Sequence, residues 1–470
     1  MHYSEFLKTK IKNIPNAGFA LEISALNKLL FEWQKIIVRW VILKGKCALF
    51  LDTGLGKTFC QLEWAYQVHK KTNENIIIFA PLAVSYQTQR EGKKYNIKVN
   101  ICRGMNDIKD GINIANYEII DNFDLSKFGG IVLDESSIIK HFGTKTSSAL
   151  IKRCSSVKYK LCCTATPAPN DYVELGMHSE FLGIMKRSEM LATFFINDMK
   201  DSKNAGNKWR LKGHAKEKFW EWVASWGCVV KKPSDLGFSD EGYILPELKI
   251  IQHVVKANKI NLIKDGREKL FEYEHAKTLN ERREAKRNSL NERINKAAEI
   301  ANGSNEQVLL WCDLNIESER LSKAINGAVE VKGSDTTEHK TKTIINFIDK
   351  KVKAIISKAK IYGFGINLQN CHRIIFASMN DSFEKFYQTI RRCYRYGQKS
   401  PVEVHIITSE QEGAVKENIE RKQKDAERMT AEMVKYTKKI LNIELYKDNI
   451  ADNNYYANEE MKIPNWLEAA

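Results

Sequence analysis

The stretch Leu51-Asp52-Thr53-Gly54-Leu55-Gly56-Lys57-Thr58 decides how this chain is read. It follows an apolar run, Cys47 to Leu51, and opens a segment in which Gln61, Leu62 and Ala65 continue a helix. Strand, glycine-rich turn and helix in that order form a cradle for phosphate. Gly54 and Gly56, with Leu55 between them, let backbone N–H groups turn inward; Lys57 reaches the β and γ phosphates, and Thr58 holds Mg2+. The helix N-terminus adds its partial positive charge. The strict pattern G-x-x-x-x-G-K-[ST] fails at its first position, which is Leu51 here. The loop therefore needs partners elsewhere in the chain.

Two partners are visible. Asp134 and Glu135 directly follow the apolar run Gly130 to Leu133. An acidic pair at a strand's C-terminal edge lets one carboxylate, Asp134, hold the metal while the next, Glu135, orients and deprotonates an attacking water. Far along the chain, Arg392 and Arg395 lie in the segment Gln388-Thr389-Ile390-Arg391-Arg392-Cys393-Tyr394-Arg395-Tyr396-Gly397-Gln398. Three residues apart, they are expected to share one face of a helix and to point at a single phosphate group.

The strands outward from the loop are nearly continuous apolar runs: Ile76 to Ala80, Val99 to Arg103, Ile112 to Ala115, Gly130 to Leu133 and Lys160 to Cys163. Such runs suit parallel sheets covered on both faces, so the fold class expected is α/β. A second set occurs at Val308 to Cys312, Ala354 to Ser357, Arg373 to Ala377 and Val402 to Thr408. Two RecA-like parallel-sheet lobes with a helical insertion between them are the expected architecture. Its divisions are a first lobe over 1–185, a helical aromatic and basic protrusion over 186–248, a charged helical linker over 249–301, a second lobe over 302–445 and a tail over 446–470. A length of 470 residues accommodates this. The composition, 43% hydrophobic and 28% charged, is that of a globular chain rather than a disordered one. No apolar core of a signal peptide and no membrane-length run is present, so a cytoplasmic location without membrane partners is expected. The ten cysteines show no C-x-x-C pair and read as buried free thiols. The formal net charge of +16 favours a polyanionic partner, although a bias toward Lys, Ile and Asn codons would also produce it.

These pieces, in this order, resemble a superfamily-two helicase or translocase, and the spelling is most similar to the Swi/Snf-type branch of ATP-dependent DNA translocases. Phe31-Glu32-Trp33-Gln34 resembles the Q motif, which would make Gln34 the reader of adenine. Pro81-Leu82-Ala83 with Gln89, Arg90 and Glu91 resembles motif Ia, and Asn116-Tyr117-Glu118 a short family signature; Lys140 sits where the family usually has a lysine. Thr164-Ala165-Thr166-Pro167, followed by Asn170, Glu174 and Leu175, resembles motif III, implying that Thr164 and Thr166 couple hydrolysis to lobe movement. Val229 to Lys232 and Leu245-Pro246 resemble the end of the family's helical protrusion. Gly363 to Leu368, with Gly365 and Asn367, resembles motif V, and Gln388 to Gln398 motif VI, whose ending Tyr-Arg-Tyr-Gly-Gln is the most family-specific word in the chain. The acidic box departs from the family, with Ser136-Ser137 replacing Ala-His, and Tyr362 stands in place of a glycine. The compact middle points to a bacterial or phage-type member.

The resemblance implies ATP and Mg2+ as cofactors and nucleic acid, double-stranded DNA first, as the partner. Gly365 and Gln388 join the ATP-binding set, and Gln89, Arg90, Asn116, Lys140 and Asn367 become nucleic-acid candidates. From composition, Trp209, Arg210 and Lys212 join them, because aromatics among cations stack on bases and grip phosphates. Phe219, Trp222 and Trp226 fall at helical spacing and are read as core. Two other readings stay open: an RNA or single-strand helicase, and an ATP-gated nucleic-acid clamp without turnover. So does a separate replication, repair or nuclease partner.

Overall fold

The computed structural model describes residues 14–81, 84–197, 209–256, 263–264, 267–268, 286–362, 367–379, 383–410 and 413–451. Gly365 and most of the motif V segment, Leu82 and Ala83, nearly half of the charged linker, and most of the C-terminal tail lie outside them.

The first lobe is a seven-stranded, all-parallel sheet. Its strands are β1 (Lys46–Leu51), β2 (Ile76–Ala80), β3 (Val99–Ile101), β4 (Ile112–Asn116), β5 (Gly130–Asp134), β6 (Tyr159–Cys163) and, beyond a two-stranded antiparallel ribbon of β7 (Phe195–Asn197) and β8 (Trp209–Leu211), β9 (Gly227–Val230). The order across the sheet is β3-β4-β2-β5-β6-β1-β9. Helices α1 (Glu32–Lys44), α2 (Lys57–Thr72), α3 (Ser85–Lys94), α4 (Lys145–Arg153), α5 (Leu175–Leu182), α6 (Arg187–Phe194) and α7 (Lys216–Ala224) accompany it. Strands β1, β2, β5 and β6 sit centrally and bury almost every side chain, as expected for a sheet packed on both faces.

The second lobe is a six-stranded parallel sheet in the order β10-β17-β16-β13-β15-β14. It is built from β10 (Leu248–Val255), β13 (Val308–Cys312), β14 (Ala328–Val331), β15 (Ala354–Lys358), β16 (Arg373–Phe376) and β17 (Val402–Ser409); a separate small ribbon pairs β11 (Ile263–Lys264) with β12 (Arg267–Glu268). Its helices are α8 (Leu290–Asn302), α9 (Asn315–Ala324), α10 (Thr337–Ile348), α11 (Ala359–Tyr362), α12 (Phe383–Ile390) and the long α13 (Gly413–Ala451). All ten cysteines are buried and unpaired.

Besides the two small ribbons, three strands of the large sheets fall where the sequence reading placed none. Gly227–Val230, inside the segment read as a helical protrusion, completes the first sheet beside β1. Leu248–Val255, in the segment read as a charged linker, runs parallel to β17 over its whole length. Ala328–Val331 forms the far edge of the second sheet. Only the short chain Lys231 to Glu247 therefore separates the two sheets, and it is held in place by hydrogen bonds. Asp235 accepts from the N–H groups of Lys231 and Lys232, and Asp240 accepts from that of Ser234.

Phe219, Trp220, Trp222 and Trp226 are core residues of the first lobe, each at most 2% exposed. The second crossing between lobes is α13. It starts beyond β17, yet Met429, Met433 and Tyr436 pack into the first lobe's core. Thr437 accepts the N–H of Val229 through its hydroxyl at 3.2 Å.

Candidate active site between the lobes

Strand β1 delivers the phosphate loop, and α2 begins at Lys57, directly after it. Gly54 (φ +90°) and Gly56 (φ +76°) occupy left-handed backbone that other residues adopt at a cost. A Cβ on Gly54 would sit 2.9 Å from the ring of Tyr396 in the second lobe, and one on Gly56 would collide with the side-chain amide of Gln34. Gln34 is buried behind the loop: its Nε2 donates to the Leu55 carbonyl at 2.9 Å and its Oε1 accepts the Phe31 N–H at 3.0 Å. The amide's nitrogen thus braces the loop while its oxygen caps the start of α1.

Lys57 Nζ lies 3.4 Å from Glu135 Oε1. Burial pushes the ammonium's pKa down, but the carboxylates of Glu135 and Asp134 outweigh it, so the pKa is raised and the charge is kept. Asp134 ends β5 with 3% exposure, and its Oδ1 accepts the Glu135 N–H at 3.1 Å. Burial drives its pKa up to about 6, with Lys57 opposing and Glu135 reinforcing the shift. Glu135 adopts left-handed backbone (φ 53°, ψ 51°), a strained state for a residue with a Cβ. Its Oε2 is buried with no partner in the structure. A carboxylate oxygen left unpaired in a cleft suits a group whose partner arrives with the substrate. The donor set fits a hard cation: the Asp134 carboxylate and the Thr58 hydroxyl would hold Mg2+.

The second lobe closes the site, with one change from expectation. Helix α12 ends at Ile390, and Arg392 and Arg395 lie in the turns beyond it rather than on a shared helical face. The Arg392 N–H bonds to the Thr389 carbonyl and that of Cys393 to Ile390, tightening the chain out of the α-helix. Arg392 Nε donates to the Gln388 carbonyl at 3.1 Å. Burial lowers its pKa to about 10, and Glu135 is the strongest opposing charge. Arg395 is also lowered by burial, but its electrostatic partner is Glu91 of α3. The two arginines thus face different carboxylates. Gln388 reaches across the lobes, its Nε2 3.4 Å from Thr166 Oγ1; Thr166 N–H in turn donates to Thr164 Oγ1 at 3.2 Å. Of the two threonines expected to couple the lobes, Thr166 therefore touches the second lobe, and Thr164 is joined to it within the first.

The nucleic-acid candidates divide. Arg90, Arg210 and Asn367 are exposed. Gln89 braces β3 by donating to the Val99 carbonyl, and Asn116 accepts from the Ser85 hydroxyl. Trp209 pairs with Asn197 in the ribbon, and Lys212 Nζ caps the end of α6 by donating to the carbonyls of Ala192 and Thr193 at 3.1 Å each. Lys140 forms an ion pair with Glu384 of the second lobe, so its charge serves lobe contact.

Two features escaped the sequence reading. Ser136 Oγ lies 3.1 Å from His178 Nε2, a fully buried ring on α5 that burial holds neutral, with a pKa near 4. The acidic box thus gains a histidine from elsewhere in the chain where Ser137 departs from the family's box. Asp52, Tyr387 and Arg391 also meet across the cleft.

Fold and site together define two parallel-sheet lobes with a phosphate loop, an acidic pair and buried arginines meeting between them. Residues 286–397, most of the second lobe, match the helicase conserved C-terminal domain. Over 100 residues the chain is 31% identical to a putative ATP-dependent RNA helicase of Acanthamoeba polyphaga mimivirus. That match takes in 20% of this chain and 18% of the viral protein, so the chain spans under a fifth of its relative's length. Among solved structures, the Sulfolobus solfataricus SWI2/SNF2 ATPase core in complex with dsDNA aligns over 83% of this chain and 90% of its own, at 19% identity and a TM-score of 0.42. Among the described residues no helix is long and apolar enough to cross a membrane.

Proposed function

We propose that the chain is an ATP-dependent nucleic-acid motor that hydrolyses ATP between its lobes and translocates on double-stranded DNA. The observation that carries the reading is the split site: Lys57, Asp134 and Glu135 come from one lobe and Arg392 from the other, with Glu135 the main charge acting on that arginine. Neither lobe holds the full set.

In this reading the loop's N–H groups and Lys57 hold the phosphates, and Glu135 positions the attacking water and takes its proton. Arg392 offsets the charge that develops on the transferring phosphoryl group. Mg2+ held by Asp134 and Thr58 would shield phosphate charge. Gln388 and Thr166 carry the lobe arrangement to the motif III loop. Alternation between closed and open lobes then changes the grip on the polymer. The DNA preference rests on the motif VI spelling. The mimivirus relative is named for RNA, which makes the polymer the question to put to experiment.

The deciding experiment is the ATPase rate with duplex DNA, single-stranded DNA, RNA or no polymer, at two salt concentrations. Duplex DNA is expected to stimulate most, and less at the higher salt. Stimulation by RNA alone overturns the DNA reading, and binding without turnover under every condition leaves a clamp.

A further inference from the structure

Arg391 precedes Arg392 and points elsewhere. Its Nη2 lies 3.2 Å from Asp52 Oδ2, and the Tyr387 hydroxyl donates to Asp52 Oδ1 at 2.9 Å. Asp52 opens the phosphate loop, and the same Oδ1 accepts the Thr53 N–H at 2.7 Å, the first peptide of the turn. The three groups are largely buried: Asp52 is 8% exposed and the Arg391 side chain 14%. The guanidinium lies 4.9 Å from the Tyr387 ring centroid and 5.2 Å from that of Tyr394, both in its own lobe. It is therefore held flat by its own side of the cleft before it meets Asp52.

We infer that Arg391, with Tyr387, latches the second lobe onto the Asp52 carboxylate and so sets where Arg392 enters the site; Arg391 is a positioning residue. The inference rests on the hydrolytic reading above. A buried ion pair contributes little net stability against an apolar pair, so its value here lies in fixing one arrangement. Three geometric facts supply that role. Arg391 and Arg392 share one turn, and Arg392 is tied through Nε to the Gln388 carbonyl, so docking the first guanidinium fixes the second. Asp52 is joined by hydrogen bond to the loop, so lobe docking and loop shape act in series. Gly54 lies against Tyr396, whose hydroxyl donates to the Lys231 carbonyl at 2.6 Å, giving the seating a second point.

The test compares Arg391→Met, Asp52→Asn, their combination and Arg391→Lys. The readouts are steady-state ATP hydrolysis and small-angle X-ray scattering without nucleotide. Arg391→Met is expected to lower kcat by about tenfold or more while KM for ATP stays within about threefold, because the loop's own phosphate contacts remain. The double variant should be no worse than the poorer single one, as expected for partners acting as a unit. Arg391→Lys should recover part of kcat, and scattering should report a larger radius of gyration in Arg391→Met than in the wild type. Unchanged kcat together with unchanged scattering overturns the latch, as do multiplicative losses in the double variant. If the wild type hydrolyses nothing while scattering still widens in Arg391→Met, the hydrolytic reading fails and the latch stands as a docking contact.

Discussion

Glu135, the proposed general base, is a strained residue with a buried, unpaired oxygen. Its left-handed backbone and unpaired Oε2 are tolerated because Asp134, Lys57 and the strand end fix everything around it. Glu135→Gln should keep nucleotide binding and lower single-turnover hydrolysis by about 10² to 10⁴, the range for losing a general base; hydrolysis near the wild-type rate would place the base elsewhere. Asp134, with its pKa raised to about 6, must lose a proton to take a metal. Affinity for Mg2+-nucleotide should therefore fall as pH drops through about 6, as titration of a fluorescent ATP analogue would read. His178 gives a stability signature of defined sign. Its folded pKa near 4 lies below the ordinary 6.5, so the unfolded chain takes up a proton first as pH falls. The stability it contributes is present above 6.5 and lost toward 4, by roughly 3 kcal/mol in full. Asp134 acts in the opposite sense between its ordinary 3.8 and about 6, so the comparison to make is thermal unfolding of the wild type and His178→Gln over that range. An identical pH slope in both would remove His178 from the account. At this scale the sequence singled out Lys57, Asp134 and Glu135 because each adjoins a strand end or helix start, and the structure brings the three together. Its spacing argument misplaced Arg392 and Arg395, because a helix that tightens at Ile390 leaves no mark in periodicity. His178 and Asp52 were out of reach, since their partners are distant in sequence.

Among the elements, α13 is the most consequential. Met433, 1% exposed, and Met429 insert into the first lobe's core from a helix that starts in the second. Met433→Ala should destabilise the protein by about 2 to 5 kcal/mol, as for other buried methionines; a melting temperature unchanged by that substitution would mean that the helix end does not stay docked in solution. Flanking pairs, Lys216 with Glu432 and Lys439 with Glu221 at 3.4 Å, are partly exposed and add little. The central strands of both lobes were legible as continuous apolar runs bounded by turn residues. Strand β9 was not, because four residues after a tryptophan-rich helix resemble its continuation. Strand β10 carried a usable signal in Ile250, Ile251, Val254 and Val255, whose branched side chains favour a strand. Its edge position leaves three of those four residues exposed and blunts the apolar pattern.

For the molecule as a whole, the formal charge of +16 becomes a prediction about salt. If the protein tracks a phosphate backbone, the logarithm of its duplex affinity should fall linearly with the logarithm of salt concentration. A slope of about −3 or steeper would correspond to several displaced counterions. A flat dependence in a filter-binding or anisotropy titration would assign the excess charge to composition alone. The chain passes between the lobes twice, once through Lys231 to Glu247 and once through α13. The two crossings run side by side where they meet the first lobe, Thr437 of α13 bonding Val229 just before Lys231, so together they act as one double-stranded hinge. Lobe motion should therefore trace an arc with little sideways slip, and a power stroke would inherit its direction from the two crossings.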